Sequence, residues 1–381
     1  MKIVKRIILG IAVLFTILVS VIACNTFLRR YVLLNTPDVY DYKHLPFRVI
    51  KYNHDDVFSF NKDFDFDINN ILPINFNGQK INNLDQFLEK HFTTAFIVMK
   101  NDRLLYEKYF HGHDRSTYCK CFSVSKNFIS ALIGIAIDEG LIKSVDEPII
   151  KFIPELKDKR LNTLTIRHCL SATTGLKFNK GGAFPWHDDV RVYYSSDLRK
   201  LLSQIEYDKE PGTVFNTEEY SSCLLALVLE RATHIKVSDY LTEKIWKPLG
   251  MEFDALWTLD REEDGLEVAN SGLTARPIDF VKFGRLYLNK GNWNGKQIVP
   301  RKWIEESTVP DPDSISYWND SYYKYMWWGK IKKDVYEFSA NDHFSQRIYI
   351  APVKNIVIVR FGTDPGGIDW SNFISTLVEK I

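Results

Sequence analysis

The first 24 residues restrict the fold of this chain more than any other segment. An uncharged apolar stretch covers residues 7–23 and follows the basic side chains of Lys2, Lys5 and Arg6. A basic start before an apolar run is typical of a secretory segment, and about 17–25 apolar residues are needed to span a bilayer. We therefore predict that residues 1–24 are a signal or anchor segment, which leaves the rest of the chain membrane-attached on the extracytoplasmic side, periplasmic or cell-surface.

Two forms of this attachment remain open. Residues 21–24, Val-Ile-Ala-Cys, resemble the lipobox of bacterial lipoproteins, in which Cys24 would become the lipidated N-terminus. Otherwise the stretch stays as a signal anchor, although Arg29 and Arg30 just beyond it weakly oppose export of the following chain. A buried core helix is disfavoured, because such a helix rarely lies at the extreme N-terminus without charged positions.

Charge and cysteine content exclude several other classes of protein. A formal net charge of +1 over 381 residues opposes general nucleic-acid binding, which calls for a basic excess. Cys119 and Cys121 are too close for an ordinary disulfide between them, and with His111 and His113 they do not match the spacing of a zinc site. We therefore expect no metal, no organic cofactor and no nucleic-acid partner.

The periodicity of the remaining chain predicts an α+β fold. Residues 25–92 are aromatic and polar with poor periodicity, and we interpret them as an N-terminal arm wrapped on a main domain of residues 93–381. Strands at both ends of that domain, with helices between them, predict one sheet that the two ends complete together. The predicted strands are 95–99, 104–110, 335–338, 346–350 and 356–361, and the predicted helices are 124–137, 164–170, 220–232, 277–289 and 370–381.

A Ser-x-x-Lys pattern is the candidate catalytic motif. It occurs at Ser59–Lys62, in a segment without helical period, and at Ser123–Lys126, where the longest apolar helix of the main domain begins. Residues three apart share a helix face, so Lys126 can lie against the Ser123 hydroxyl. Desolvation would lower the pKa of this lysine and make it a base toward the serine. The alternative interpretation is an exposed serine cap with a lysine that extends to the surface.

Residues 122–140 closely resemble the active-site helix of serine hydrolases related to class C β-lactamases. This family includes esterases, D-aminopeptidases and 6-aminohexanoate-oligomer hydrolases. Further segments resemble the family in the same order along the chain, over about residues 93–381: 164–168 with 174–176, 210–215, 283–288, 293–298, 346–350 and 357–362. The resemblance implies a β-lactamase/penicillin-binding-protein-like fold, with an antiparallel sheet flanked by helices and a mostly helical subregion from about 141 to 290.

The second motif of the family is altered in this chain. A tyrosine, followed two residues later by an asparagine, normally comes six residues after the proline that is Pro211 here. This chain has Thr217 and Glu219 at those positions, and Tyr220 is the nearest phenol. By resemblance Tyr220 is a candidate proton carrier, although a packed aromatic side chain at a helix start is the alternative.

The third motif is altered as well. The family carries a triplet led by lysine or histidine and ending in glycine. In this chain His343 keeps the polar lead position and Ser345 replaces the glycine, which a serine can do if its φ is ordinary. The resemblance implies that the backbone N–H of Gln346 pairs with that of Ser123 as an oxyanion hole.

Together these features predict a serine hydrolase that cleaves an amide or ester bond of a small-molecule or peptide-like substrate. Ser123 would be the nucleophile and Lys126 the base, with Tyr220, His343 and Gln346 as supporting residues. A different class remains open because two motifs are altered: a catalytically impaired relative that binds a peptide or cell-wall-like ligand. A membrane-tethered structural protein that keeps only the fold is the third alternative.

Overall fold

The two ends of the main domain complete one sheet, as the sequence predicts. The computed structural model describes residues 2–182, 184–311, 316–318, 321–330 and 336–381. In it, strand β17 (Ile356–Gly362) lies antiparallel beside β5 (Thr93–Lys100), with Val359 opposite Ile97. The predicted α+β fold is confirmed.

The other strands of the described residues, numbered in chain order, extend this sheet or form small ones. They are β1 (Phe47–Ile50), β2 (Asn61–Lys62), β3 (Ile74–Phe76), β4 (Gln79–Ile81), β6 (Arg103–Tyr109), β7 (Cys119–Lys120), β8 (Ala255–Thr258), β9 (Leu273–Ala275), β10 (Asn292–Trp293), β11 (Lys296–Gln297), β12 (Tyr317–Trp318), β13 (Ser321–Lys324), β14 (Trp327–Lys330), β15 (Phe338–Asn341) and β16 (Arg347–Ala351). The main sheet has the order β12-β13-β14-β15-β16-β17-β5-β6-β2, and β1-β8-β9-β7 form a second sheet.

The α-helices supply the layers on both faces of the main sheet. They are α1 (Lys2–Cys24), α2 (Thr26–Leu34), α3 (Leu84–Lys90), α4 (Ser125–Asp138), α5 (Ile166–Leu170), α6 (Asp188–Tyr193), α7 (Leu198–Ser203), α8 (Tyr220–Thr233), α9 (Val237–Leu241), α10 (Pro277–Leu288), α11 (Arg301–Thr308) and α12 (Trp370–Lys380). The predicted helices correspond to α4, α5, α8, α10 and α12, with ends that differ by at most two residues. Within residues 141–290 the regular elements are helices apart from β8 and β9, as predicted, and loops connect them.

The apolar run of β5 reflects burial on both faces of the sheet. Ala95, Ile97 and Met99 face the core that contains α4 and α10, whereas Phe96 and Val98 face α3 and α12. Successive side chains of a strand point to opposite faces, so a strand covered on both sides needs apolar residues at every position. This packing places α4 in the centre of the domain.

One predicted strand is wrong in its position. The prediction was 335–338, but the strand is β15, Phe338–Asn341, and Val335 lies outside the described residues. Phe338 pairs with Ile350, and the partner strand β16 ends one residue later at Ala351. The start of β15 is therefore set by the end of its partner strand β16, and the local sequence of β15 does not encode that position.

The N-terminal arm makes sheet contacts with the main domain. Phe47 on β1 pairs with Thr258 on β8, and β2 runs parallel to β6. Preceding the arm, α1 is exposed along its length, and residues Ile3–Cys24 are long and apolar enough to cross a membrane. A cleaved signal sequence has the same properties, so membrane attachment stays a prediction, as does the boundary of the arm at residue 93.

The close packing of α4 gives a testable prediction for stability. A Cβ at Gly134 would lie 2.4 Å from the Trp303 ring, inside van der Waals contact. We expect Gly134→Ala to lower the free energy of unfolding by about 1–3 kcal/mol, because overpacking outweighs the better helix propensity of alanine. Chemical denaturation of the purified protein measures this change.

Ser130 on the same helix supplies the control for that prediction. Its hydroxyl is buried and has no hydrogen-bond partner among the described residues. Removing an unpaired buried hydroxyl leaves nothing unsatisfied, so Ser130→Ala should be neutral or stabilising. Equal stability of the Gly134→Ala variant and the unchanged protein would contradict the close approach of Trp303.

Candidate active site

Ser123 lies in a tight turn that leads into α4. The turn is a 3-10 segment, Phe122–Val124, and Phe122 adopts a left-handed backbone conformation with φ of 50°. Ser125 holds this conformation: its hydroxyl donates to the Phe122 carbonyl at 2.6 Å and accepts from the Leu273 N–H at 3.0 Å. Residues other than glycine rarely adopt the left-handed conformation, and those that do are often found at functional sites. The β9 strand and α4 together fix the position of Ser123.

Lys126 lies one turn further along α4 and is paired with Glu219. Its Nζ is 3.0 Å from Glu219 Oε2, and both side chains are largely shielded from solvent. Burial acts to lower the pKa of Lys126, but the nearby negative charge of Glu219, with smaller effects from Tyr323 and Asp342, raises the pKa above its usual value. The prediction that desolvation lowers the pKa of this lysine is therefore wrong for this arrangement, because Glu219, Tyr323 and Asp342 together outweigh burial.

The backbone N–H of Ser123 already has a partner, the carboxylate of Asp342. The distance from Ser123 N to Asp342 Oδ2 is 2.6 Å, and Asp342 Oδ1 lies 3.0 Å from His343 Nδ1. Burial acts to raise the pKa of Asp342, but the hydrogen bond and charge of His343, the charge of Lys126 and a hydrogen bond with the Ser123 side chain together lower it. The hydrogen bond with Asp342 and its charge raise the pKa of His343. The Asp342 carboxylate thus accepts the hydrogen bond that, by the resemblance, the Ser123 N–H would donate to the oxyanion of the substrate.

Gln346 is placed differently from the sequence expectation. Its backbone N–H donates to the His343 carbonyl at 3.2 Å, and its side-chain amide bonds both the N–H and the carbonyl of Gly362. Gln346 does not line the cavity at Ser123. In this arrangement the Gln346 and Ser123 N–H groups do not converge on an open position.

The residue at the glycine position of the third motif has an unusual backbone. Ser345 has φ of 58° and Phe344 has φ of 56°, so the condition of an ordinary φ for this serine is not met. Glycine adopts this region without steric cost, and two consecutive larger residues there store strain. The turn directs the Phe344 and His343 rings onto Phe122, at centroid distances of 5.4 and 5.9 Å. His343 therefore lies at the cavity, beside the turn that carries Ser123.

Tyr220 is separated from this group. Its ring packs edge-on against Phe178 at 5.0 Å, and burial, with a hydrogen bond to Asp188, raises the pKa of its hydroxyl. Tyr220 is not among the residues that line the cavity, whereas Thr217 and Glu219 are. The geometry corresponds to the alternative in which Tyr220 is a packed aromatic residue at the start of α8.

Sequence reasoning missed another phenol, Tyr323 on β13. It lines the cavity, its hydroxyl donates to Met326 Sδ at 3.1 Å, and burial raises its pKa while the charge of Lys126 lowers it. Asn127, next to Lys126 on α4, donates to the Met326 carbonyl at 2.9 Å and holds this β-turn over the helix. Because Tyr323 is nearly 200 residues from Ser123 in the sequence and outside the family motifs, no local signal identifies it.

Ser123 and Lys126 line one cavity of about 590 Å³. Its ionisable lining residues include both signs of charge, and its walls are partly aromatic. The lining includes Ser123, Lys126, Lys180, Asp189, Thr217, Glu219, Asp342 and His343, with Phe122, Tyr193, Tyr323, Trp328 and Phe344. A larger polar cavity of about 780 Å³ lies beside α12, but it includes none of the predicted site residues. We therefore take the smaller cavity as the candidate active site.

Metal ligation has no candidate cluster in the part of the chain that the structure describes. No group of three or more His, Cys, Asp or Glu side chains there could hold a metal ion. The five cysteines are free thiols, with Cys24 exposed and the others buried. The expectation of no metal cofactor stays an expectation.

Comparison with known proteins places the fold and the motifs in one family. Residues 81–369 match the family model for β-lactamase. The chain is similar to a 6-aminohexanoate-dimer hydrolase of Paenarthrobacter ureafaciens, with 24% identity over 78% of this chain and 80% of the relative. It is also similar to penicillin-binding protein 4* of Bacillus subtilis, with 25% identity over 43% of this chain and 34% of the relative.

Solved structures show the same fold. A Bacillus anthracis protein whose name places it with 6-aminohexanoate-dimer hydrolases superposes with a TM-score of 0.80, 24% identity and coverage of 89% of this chain and 92% of its own. A penicillin-binding protein of Bacillus halodurans gives a TM-score of 0.63 at 17% identity, with coverage of 77% and 100%. The β-lactamase/penicillin-binding-protein-like architecture expected from the sequence is confirmed.

Proposed function

The chain belongs to the β-lactamase family, and from this premise we propose that it is a membrane-attached serine hydrolase that cleaves an amide or ester bond through an acyl-enzyme on Ser123. The observation that carries the proposal is the placement of Ser123 in a fixed turn at the start of α4, open to the cavity and one turn from Lys126. The names of its relatives make a short linear amide a suitable first substrate class.

In the proposed reaction Ser123 Oγ attacks the substrate carbonyl. Neutral Lys126 accepts the hydroxyl proton and then delivers it to the departing amine or alcohol, which leaves an acyl group on Ser123. Neutral Lys126 then takes a proton from water, which attacks this ester, and returns the proton to Ser123 Oγ as the acid leaves. The Lys126–Glu219 ion pair keeps the lysine protonated at rest, so the active form is the minority form near neutral pH.

The proposed oxyanion donor is the Ser123 N–H. Substrate must displace Asp342 from it, because the carboxylate accepts that hydrogen bond in the resting structure. A donor of this kind is worth about 3–4 kcal/mol in the transition state of acyl transfer. The oxyanion site would therefore form only when substrate binds and displaces Asp342 from the Ser123 N–H.

The test is hydrolysis of p-nitrophenyl esters and of 6-aminohexanoate dimer by the purified full-length protein. We expect turnover that Ser123→Ala abolishes. The second Ser-x-x-Lys sequence supplies the matched control, since Ser59 is exposed and lies outside the cavity, and Ser59→Ala should leave the rate unchanged. Turnover that persists in Ser123→Ala would contradict the proposal.

A second candidate function is a binding protein of the same fold. Three observations favour it: Asp342 occupies the Ser123 N–H, Glu219 pairs with Lys126, and Tyr220 is turned away from the cavity. A peptide or cell-wall-like ligand would then raise the melting temperature without being hydrolysed, because a ligand that binds only the folded state stabilises it. Turnover that depends on Ser123 excludes this function.

A further inference from the structure

The apolar helix α1 and the catalytic domain are joined without a flexible linker. Helix α1 ends at Cys24 and α2 begins at Thr26, so Asn25 is the only residue between them. Backbone hydrogen bonds from Asn25 N to Val21 O and from Arg29 N to Asn25 O continue the pattern across the joint. A membrane-inserted α1 therefore places the start of α2 at the bilayer surface.

Helix α2 is in turn fixed to the wall of the catalytic cavity. Arg30 donates to the backbone carbonyls of Ser195 and Asp260, and Tyr31 packs edge-on against Tyr194 at 6.5 Å. The chain leaves α2 directly into residues 35–37, which line the cavity. Nine helical residues span about 14 Å. The cavity-lining residues that follow α2 therefore lie within about that distance of the bilayer surface.

A loop that contributes residues to the cavity lining carries an exposed aromatic pair. Phe184 and Trp186 stack with ring centroids 4.7 Å apart and planes at 6°, and they are 54% and 61% exposed. Their loop precedes α6 and also brings Lys180 and Gly182 to the cavity lining. Large aromatic side chains in water are unfavourable, whereas Trp is enriched where a protein meets the membrane–water interface.

A second exposed apolar surface lies on α2 itself. Val32 and Leu33 are 52% and 75% exposed, while Arg30 and Tyr31 on the same helix face the domain. Arg29, at the start of the helix, is exposed and Lys180 is an exposed cation at the aromatic loop. Apolar side chains flanked by basic ones suit an interface of acyl chains and anionic headgroups.

We propose that the mouth of the catalytic cavity docks on the bilayer that holds α1, with Phe184, Trp186, Val32 and Leu33 inserted at the interface. Acyl substrates that partition into the membrane would then reach Ser123 directly from the bilayer. The entry of substrate rests on the proposed function, but the docking geometry does not. Both forms of attachment, a retained α1 or a lipidated Cys24, tether the start of α2 to the bilayer, because α2 follows either one at once.

Depth-resolved quenching of Trp186 tests the docking. The full-length protein is reconstituted into phosphatidylcholine vesicles that contain lipids brominated at shallow acyl-chain positions. We expect bromolipid to quench part of the tryptophan emission of the unchanged protein, and Trp186→Phe to remove that part. Trp328→Phe is the matched control, because Trp328 lines the interior of the cavity and its loss should leave bromolipid quenching in place.

The outcomes decide the proposal in both directions. Loss of bromolipid quenching in Trp186→Phe alone supports it. Equal quenching in both variants, or Trp186 emission that only aqueous acrylamide quenches, overturns it. Emission that neither agent quenches also overturns it, since a second protein would then cover the pair. These readouts need no catalysis, so they remain informative even if Ser123 proves inactive.

An activity measurement tests the route of the substrate separately. In the reconstituted protein, Phe184→Ser with Trp186→Ser should lower hydrolysis of a long-chain, membrane-partitioned ester about tenfold and leave that of a short soluble ester within about twofold, because only the first must enter from the bilayer. Equal losses for both esters would contradict entry from the membrane.

Discussion

Lys126→Met is expected to lower kcat/KM for ester hydrolysis by about 10³-fold, since general-base catalysis typically contributes about 10²–10⁴-fold. Methionine keeps most of the volume of the buried side chain but cannot accept the Ser123 proton. KM should change much less than kcat, because Lys126 acts on the reacting hydroxyl rather than on substrate binding. Initial rates measured over a substrate series separate the two parameters.

Lys62→Met is the matched control for this prediction. Lys62 belongs to the other Ser-x-x-Lys sequence, is exposed and lies outside the cavity. Its substitution should leave both parameters unchanged. A Lys126→Met protein with normal kcat would mean that another group, with Tyr323 the first candidate, removes the serine proton.

Glu219→Gln is expected to raise the rate at neutral pH. Lys126 works as a base only when neutral, so activity rises as pH increases through its pKa. The charge of Glu219 raises that pKa, and burial, which remains after the substitution, lowers it. The ascending limb of the pH–rate profile should therefore move to lower pH, and the rate at neutral pH should increase about tenfold for each pH unit of that movement.

The conservative variant Glu219→Asp keeps a carboxylate near the lysine and supplies the control. Its pH–rate profile should stay closer to that of the unchanged protein. A Glu219→Gln protein that loses activity with no movement of the limb would contradict this role and identify Glu219 as a proton acceptor in the reaction. Rates measured across the pH range on folded protein distinguish these results.

Local patterns were sufficient for the framework of the domain. The apolar runs that form β5 and α4 were predictable, because a strand or helix buried on all sides requires apolar residues throughout. The turn at Asn101 was predictable as well, because asparagine tolerates the left-handed backbone found there. The position of β15 was not encoded in this way, since the pairing with β16 decides where it begins.

The Ser123–Lys126 pair of the candidate site was predictable from the sequence, but its electrostatic surroundings were not. Ser123 and Lys126 are adjacent on one turn, and their proximity follows from helical spacing. The partners that set their state, Glu219 and Asp342, come from segments about 90 and 220 residues away. Only the tertiary structure shows that these carboxylates meet the motif, which is why the pKa of Lys126 was predicted to fall although it rises.

The position of Tyr220 has a similar explanation. Its proximity to the altered second motif made it a candidate, but at the first position of α8 its side chain is directed to Phe178 and Asp188 instead. The cavity phenol Tyr323 is supplied by a strand near the other end of the chain. Proximity to a motif in the sequence does not show whether a side chain at the start of a helix faces the site.

The most direct test of the central claim is intact-mass analysis of the full-length protein after reaction with a fluorophosphonate, alongside Ser123→Ala and Ser59→Ala. An activated serine displaces fluoride from phosphorus and retains the phosphonyl group. We predict one adduct on the unchanged protein and on Ser59→Ala, and none on Ser123→Ala. A folded protein that forms no adduct, or one whose adduct persists in Ser123→Ala, would contradict the assignment of Ser123 as the nucleophile.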